Sequence, residues 1–250
     1  MTVFFGWLPN PFADDPQATG NTPSSSPERE PAVEVLSRQF PEPERIPAKF
    51  KEGKTLRSGT TPATRLALTV RNRGDLKAAI TEFRFTVRKE KVLISGTGPR
   101  PCLPNTGGGT EITANYDVDL SELAERGVPV TVVVDGTYDL AAGEVERVLF
   151  TIGGIDSIDP SLYLVDVQFR EGAAKELVQA GTVAFMGPVD AATDYLKWIH
   201  AMAPSQVTPC DGDLVRDVDR ILSRADDSSR QAERLKKDLD VLERRLTGGD

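Results

Sequence analysis

Apolar and polar residues alternate along residues 65–88, which read RLALTVRNRGDLKAAITEFRFTVR. Leu66, Leu68 and Val70 take every second position, a period of two that is typical of a β-strand with one buried face. Alternation resumes over residues 80–87, after a run of Asn, Arg, Gly and Asp that favours a turn. The pattern predicts two strands that face one hydrophobic core.

Similar segments recur from residue 49 to residue 189, separated by Gly- and Pro-rich breaks and without a long helix between them. About eight short strands in this arrangement predict a mainly β protein, built as an antiparallel β-sandwich over residues 49–189. Two local details refine the prediction. The apolar run at residues 162–169 changes phase once, which indicates a β-bulge. Asp135-Gly136, between valine-rich stretches, predicts a hairpin turn.

A short motif at the start of this region consists of Leu66, Leu68, Val70, Asn72 and Gly74, followed by Ala78, Ala79 and Ile80. It resembles the region between the second and third strands of bacterial immunoglobulin-like domains of the CARDB and fibronectin type III kind. In those domains an Asn-x-Gly turn joins two core strands. The resemblance implies an immunoglobulin-like sandwich and implies nothing about a ligand.

The first 48 residues hold nine of the 18 prolines in the chain. Such a composition leaves little apolar area to offset the entropy of ordering, so residues 1–48 are predicted to be a largely disordered arm. Its tip carries an aromatic cluster formed by Phe4, Phe5, Trp7 and Phe12. These side chains either dock on the body of the same chain or insert into a groove of a partner protein, where aromatic side chains dominate binding energy.

Two helical segments follow the predicted sandwich. Residues 190–203 place apolar side chains at spacings of three and four, which predicts an amphipathic helix packed on the sandwich. Residues 204–210 are expected to form a linker. Residues 211–247 then step by four and three without interruption, which predicts one long heptad helix, roughly 55 Å in length.

The apolar stripe of this predicted helix consists of Leu214, Val218, Ile221, Ala225, Ser228, Ala232, Leu235, Leu239, Leu242 and Leu246. An exposed leucine stripe needs a partner, and three partners fit: an antiparallel second copy, a helix of another protein, or the sandwich of the same chain. Ala225 and Ser228 weaken the middle of the stripe, so a close approach or a break is possible there.

Composition narrows the class of partner. The net charge of −8 argues against nucleic acid as a partner, because phosphate groups require Lys and Arg patches. No run of 18 apolar residues and no secretory signal is found, so we expect a cytoplasmic protein without a membrane segment. Two cysteines, Cys102 and Cys210, are too few for a disulfide framework, and whether they pair stays open.

The residues that support catalysis or metal binding are sparse. The chain has one histidine, His200, and it lies on a predicted helix next to apolar residues. One His and two Cys do not suffice for a zinc site. Asp156, Asp159 and Asp166 could contribute to a calcium site, but they lack the dense spacing of a calcium loop. We therefore expect no enzyme, no cofactor, and no catalytic or metal-ligating residue.

These observations together predict a non-enzymatic protein-interaction or scaffold module. The residues expected to bind a partner are Phe4, Phe5, Trp7, Phe12, Leu214, Val218, Ile221, Leu235, Leu239, Leu242 and Leu246, the helical ones with the option of forming a homo-oligomer. An alternative is a structural component of a larger assembly, such as a phage particle or an injection apparatus. A ligand- or carbohydrate-binding sandwich is a further alternative, which would require exposed aromatic residues on loops or on a sheet face.

Overall fold

The computed structural model describes residues 32–52, 54–93, 111–155, 159–201 and 209–246. The predicted aromatic cluster of Phe4, Phe5, Trp7 and Phe12 lies outside the described residues. The strands are β1 (Val33–Gln39), β2 (Glu44–Glu52), β3 (Thr55–Asn72), β4 (Ala78–Val92), β5 (Glu111–Ala114), β6 (Val118–Asp119), β7 (Val130–Leu140), β8 (Val145–Gly153), β9 (Ser161–Glu171), β10 (Leu177–Gly187) and β11 (Asp227–Ser228). The helices are α1 (Leu123–Arg126), α2 (Val189–Ala201), α3 (Pro209–Leu222) and α4 (Arg230–Leu246).

The strands form two sheets, so the prediction of a mainly β protein is confirmed. The first sheet has the order β5-β2-β3-β8-β6, and β1 pairs with the second half of β3, beyond the end of β2. The second sheet has the order β11-β10-β9-β4-β7. Neighbouring strands are antiparallel except for the short pairs β6–β8 and β10–β11. Because β3 lies in the first sheet and β4 in the second, the turn after Asn72 carries the chain from one sheet to the other.

One hydrophobic core fills the space between the two sheets. Its largest side chains include Phe83 and Phe169 from the second sheet and Phe150 from the first, all at most 1% exposed. The ring centroids of Phe83 and Phe150 are 4.9 Å apart in an edge-to-face arrangement, the geometry that aromatic rings prefer. The side chains of Leu66 and Leu68 both point into this core, as their alternation in the sequence predicts.

A second core lies on the outer face of the second sheet, under a layer formed by α2, α3 and α4. Leu162 and Leu164 of β9 and Met186 of β10 point outward into this layer. Tyr163 of β9 points inward to the core between the sheets. The start of β9 is therefore buried on both faces, which requires a continuous apolar run rather than alternation.

Regular structure begins earlier than the sequence predicts. The described part of the predicted arm forms β1 and the start of β2, so strands are present from Val33, before the predicted start at residue 49. β1 pairs with β3 over Val33–Gln39, and Val33 is 1% exposed in the core between the sheets. Pro47 is tolerated within β2 because β5 covers only Ala48–Lys51, which leaves the other side of the strand open at the proline.

The prediction of one heptad helix over residues 211–247 is wrong in its continuity. The segment forms two helices, α3 and α4, which pack on each other and on the second sheet. The break falls in the weak middle of the stripe, where Asp227 and Ser228 pair with β10 as the two-residue strand β11. Small and polar residues there cannot supply the helix contact that leucine would, and they hydrogen-bond to the sheet edge instead.

Two local predictions also need correction. The change of phase in residues 162–169 reflects burial of both faces of β9, since the apolar side chains contact two different cores. The register shift of the β4–β9 pair near these residues lies on β4, between Val87 and Lys89. Asp135-Gly136 does not form a hairpin turn, because β7 continues through both residues to Leu140. The register with β4 shifts next to Gly136, which accommodates glycine as a strand irregularity.

Candidate protein-interaction site

The apolar stripe predicted to bind a partner through the C-terminal helix is turned toward the chain itself. Leu214, Val218, Ile221, Leu235 and Leu239 are all at most 8% exposed and contact α2 or the outer face of the second sheet. Leu242 and Leu246 lie in the last turns of α4. These five side chains therefore pack on the chain itself, one of the three options that the sequence leaves open.

Two ion pairs connect the helical layer, one joining α3 to β4 and the other joining α3 to α4. Lys91 Nζ lies 2.5 Å from Asp217 Oδ2, which joins the end of β4 to α3. The hydrogen bond from Lys91 holds the pKa of the Asp217 carboxyl below its usual range. Lys236 of α4 lies 2.6 Å from Asp219 of α3, and this hydrogen bond raises the pKa of Lys236. Both ion pairs support an intramolecular role for α3 and α4.

A small cavity of about 210 Å³ lies beside the first of these ion pairs. Its lining residues are Lys89, Glu90, Lys91, Val128, Asp217, Arg220 and Ile221. Both carboxylates already have partners, because Asp217 accepts from Lys91 and Glu90 accepts from the buried hydroxyl of Tyr163 at 3.2 Å. Burial and the Glu90 charge raise the pKa of Tyr163 well above its usual value. The cavity is smaller than an ordinary ligand pocket. Its Lys91–Asp217 ion pair holds α3 against β4.

Among the described strands, the longest edge without a pairing strand is that of β7 in the second sheet. β7 is eleven residues long and pairs with β4 alone among the described strands. The other edge strands are shorter: β1 has seven residues, β5 has four, and β6 and β11 have two each. Within the described residues, no backbone hydrogen bond reaches the outer side of β7 between Thr131 and Asp139. A strand edge of this length offers donors and acceptors for another strand.

The side chains of β7 add apolar surface to this edge. Val132 and Val134 point toward the core between the sheets but are only half-buried. Among the described strands, the first sheet contributes the two-residue β6 on this side. On the opposite face, Val133 is 46% exposed. No Pro or Lys, the residues that commonly protect an edge from pairing, occurs within β7.

The charge of the edge is acidic. Asp135 is exposed and lies directly opposite Glu82 in the β4–β7 ladder. Glu82 receives hydrogen bonds from Arg84 and Arg170, and the bond from Arg84 contributes most to lowering the pKa of this carboxyl. Asp139 lies further along the strand and pairs with Lys77 at 2.8 Å. Of the two β7 carboxylates, Asp139 pairs with Lys77, and Asp135 forms no ion pair with the described residues.

A second exposed surface is a three-stranded ribbon made of β2, β5 and the first half of β3. Its residues 54–60 are exposed, and Lys49, Lys51, Lys54 and Arg57 make it basic. The ring of Phe50 packs against Gly59, where a Cβ atom would lie only 3.0 Å from the ring, so a side chain there would displace the phenylalanine. β5 already pairs with the edge of β2, which makes the ribbon a poorer site for strand addition than β7.

The sequence does not identify the β7 edge, although it contains part of the signal. The VTVVV run is visible as a strand, but an inner strand and an edge strand have the same alternation. The missing information is the topology, because β7 becomes an edge only through the placement of β4 and β6. Asp135 carries a recognisable signal, since a carboxylate within a valine-rich strand is disfavoured in a sheet interior.

Comparisons with protein-family models, with curated proteins and with solved structures give no match to this chain. In the described part of the chain, no three His, Cys, Asp or Glu side chains come together as metal ligands would. None of the described helices is both long enough and apolar enough to cross a lipid bilayer.

Proposed function

We propose that this chain is a non-enzymatic protein-interaction module that binds an extended segment of a partner protein at the free edge of β7. The observation that carries the proposal is the length of the unpaired edge, with its half-buried valines beneath it. Strand addition at such an edge provides backbone hydrogen bonds for affinity and alternate side-chain contacts for specificity. The bound segment would also complete the cover over Val132 and Val134.

The topology supports an immunoglobulin-like sandwich as the scaffold of this module. The strand order β1-β3-β8 corresponds to strands A, B and E of an immunoglobulin fold, and β10-β9-β4-β7 corresponds to G, F, C and C′. The Asn72 turn between β3 and β4 then takes the place of the connection between strands B and C. The helical layer and the β2–β3 ribbon are additions to that plan.

The proposal is tested by selecting extended peptides from a random display library on the full chain. Successive N–H groups of a strand alternate in direction, so one of Val132→Pro and Val133→Pro removes a donor facing the free edge, while the other removes a donor facing β4. Thermal unfolding identifies the variant that lacks the donor facing the free edge, because this variant keeps the stability of the wild type. It is the edge-facing proline variant. We expect selected peptides to bind the wild type and to protect from hydrogen exchange those amides of Val130–Asp135 that face the free edge.

The edge-facing proline variant should lose this binding. Leu56→Ala is the matched control, because Leu56 is 63% exposed but lies on the ribbon, and it should bind the same peptides as the wild type. Selected peptides that protect amides elsewhere, or that bind the edge-facing proline variant equally well, would contradict strand addition at β7.

A further inference from the structure

We propose that the segment recognised by β7 carries a Lys or Arg in register with Asp135, flanked by β-branched residues that extend over Val132, Val133 and Val134. This inference rests on the proposed strand addition and specifies the chemistry of the partner. Three features of the edge support it: the charges on β4, the exposure of the valines, and the composition of β7 itself.

Asp135 forms no ion pair with the described residues, and β4 places a carboxylate opposite it. Like charges directly opposite each other in a ladder are unfavourable, and the register places Asp135 against Glu82. Arg84, which lies opposite Val133, donates its hydrogen bond to Glu82, and Arg170 of β9 does the same from the far side. The only remaining neighbour position of Asp135 in the ladder is on the free side of β7. A cation on an added strand would occupy this position.

The exposure of the valines determines the flanking residues. Adjacent residues of an added strand point to opposite faces of the sheet. Residues on its inner face would lie beside the half-buried Val132 and Val134, and those on its outer face beside Val133. Valine, isoleucine and threonine suit both faces, because branched side chains pack well on neighbouring strands. The register is regular from Val130 to Asp135, so the recognised segment spans about six residues.

The composition of β7 argues against a second copy of the same strand as the occupant. Its sequence, VTVVVDGTYDL, contains two acids and no Lys or Arg. Pairing of β7 with β7 of a second copy would therefore add carboxylates to the edge and leave Asp135 without a cation in any register. A partner with a basic residue satisfies both the backbone and the charge.

The test uses two synthetic peptides of alternating Val and Thr, one with a Lys at one end of a six-residue run and the other with Glu at that position. Their dissociation constants are measured by fluorescence anisotropy on the full chain and on its Asp135→Lys variant. We expect the wild type to prefer the Lys peptide by about twofold to fivefold, the range of a cross-strand charge pair, with a smaller preference at high salt. The Asp135→Lys variant should prefer the Glu peptide.

Asp139→Lys is the matched control for nonspecific attraction. It makes the same change of net charge on the same strand, but beyond the register shift that follows Asp135, and the preference for the Lys peptide should persist. Equal binding of both peptides to the wild type, or a preference that Asp139→Lys reverses as fully as Asp135→Lys, would overturn the inference while leaving strand addition intact.

Failure of both peptides to bind any variant would instead overturn the proposed function together with the inference. A wild-type dimer in light scattering that the edge-facing proline variant abolishes would identify a second copy as the occupant, and would likewise overturn the inference.

Discussion

Asn72 Nδ2 lies 3.0 Å from the carbonyl oxygen of Leu140, so a buried amide joins the end of β3 in the first sheet to the end of β7 in the second. The same amide lies within hydrogen-bond distance of the carbonyls of Leu76 and Ala141, and the side-chain oxygen of Asn72 accepts from the N–H of Gly74. One fully buried side chain therefore organises the crossing between the sheets.

Asn72→Leu should destabilise the fold strongly, because it removes the partner of the buried carbonyl of Leu140 and of three partly buried groups, the carbonyls of Leu76 and Ala141 and the N–H of Gly74. We expect a loss of about 2–4 kcal/mol in the free energy of unfolding, measured by urea denaturation. Asp75→Ala changes an exposed residue of the same turn and should have little effect. If the two variants unfolded at the same urea concentration, Asn72 would not have this organising role.

Leu235→Ala separates an intramolecular helical layer from a self-associating helix. Leu235 is 0% exposed beneath α4, so its truncation leaves a cavity and should cost about 2–5 kcal/mol of unfolding free energy. The molar mass of the folded chain in light scattering should not change, because the stripe contacts the chain's own sheet. Lys237→Ala, on the exposed face of the same helix, is the control. A wild-type oligomer that becomes a monomer in Leu235→Ala would contradict this assignment.

Asp217→Asn should reveal an acid-sensitive contact between α3 and β4. The hydrogen bond from Lys91 lowers the pKa of Asp217 in the folded state, so its stabilising contribution exists above the ordinary pKa of 3.8 and is lost as the pH falls through the folded value. The wild type should therefore be more stable than Asp217→Asn near neutral pH. This difference should shrink as the pH falls below 3.8, as measured by urea denaturation across that range. A difference that is independent of pH would indicate that packing, not the ion pair, distinguishes the two proteins.

The sequence predicts the two-sheet body well because strand alternation is a local signal. Leu66, Leu68 and Val70 face the core in the structure as their spacing indicates, and the Asn72 turn lies between the two strands that flank it in the sequence. The helical layer is harder to anticipate, because heptad spacing describes an apolar stripe and not what covers it. The continuous apolar run at the start of β9 holds the relevant signal, since a strand buried on both faces requires a layer on each side.

The candidate site depends on information that no single segment contains. Val132, Val133 and Asp135 are visible in the sequence as a valine-rich stretch with a carboxylate, but their exposure follows from strand order. β1 illustrates the same limit, since prolines at positions 41 and 43 suggest an arm while its pairing with β3 makes it a strand. In both β1 and β7, long-range strand pairing overrides what the local composition suggests.

Removing the charge of Asp135 should stabilise the free chain. Asp135→Asn relieves the like-charge pair with Glu82, and we expect a gain of about 0.2–1 kcal/mol in the free energy of unfolding at low salt, with a smaller gain at high salt. Asp139→Asn is the matched comparison, because it removes an equal charge from the same strand but breaks the ion pair with Lys77. That variant should be unchanged or slightly less stable, since exposed ion pairs contribute little. A gain in Asp139→Asn as large as that in Asp135→Asn would mean that both substitutions act through net charge. The repulsion between Asp135 and Glu82 would then not be the unfavourable interaction that a basic residue of a partner offsets.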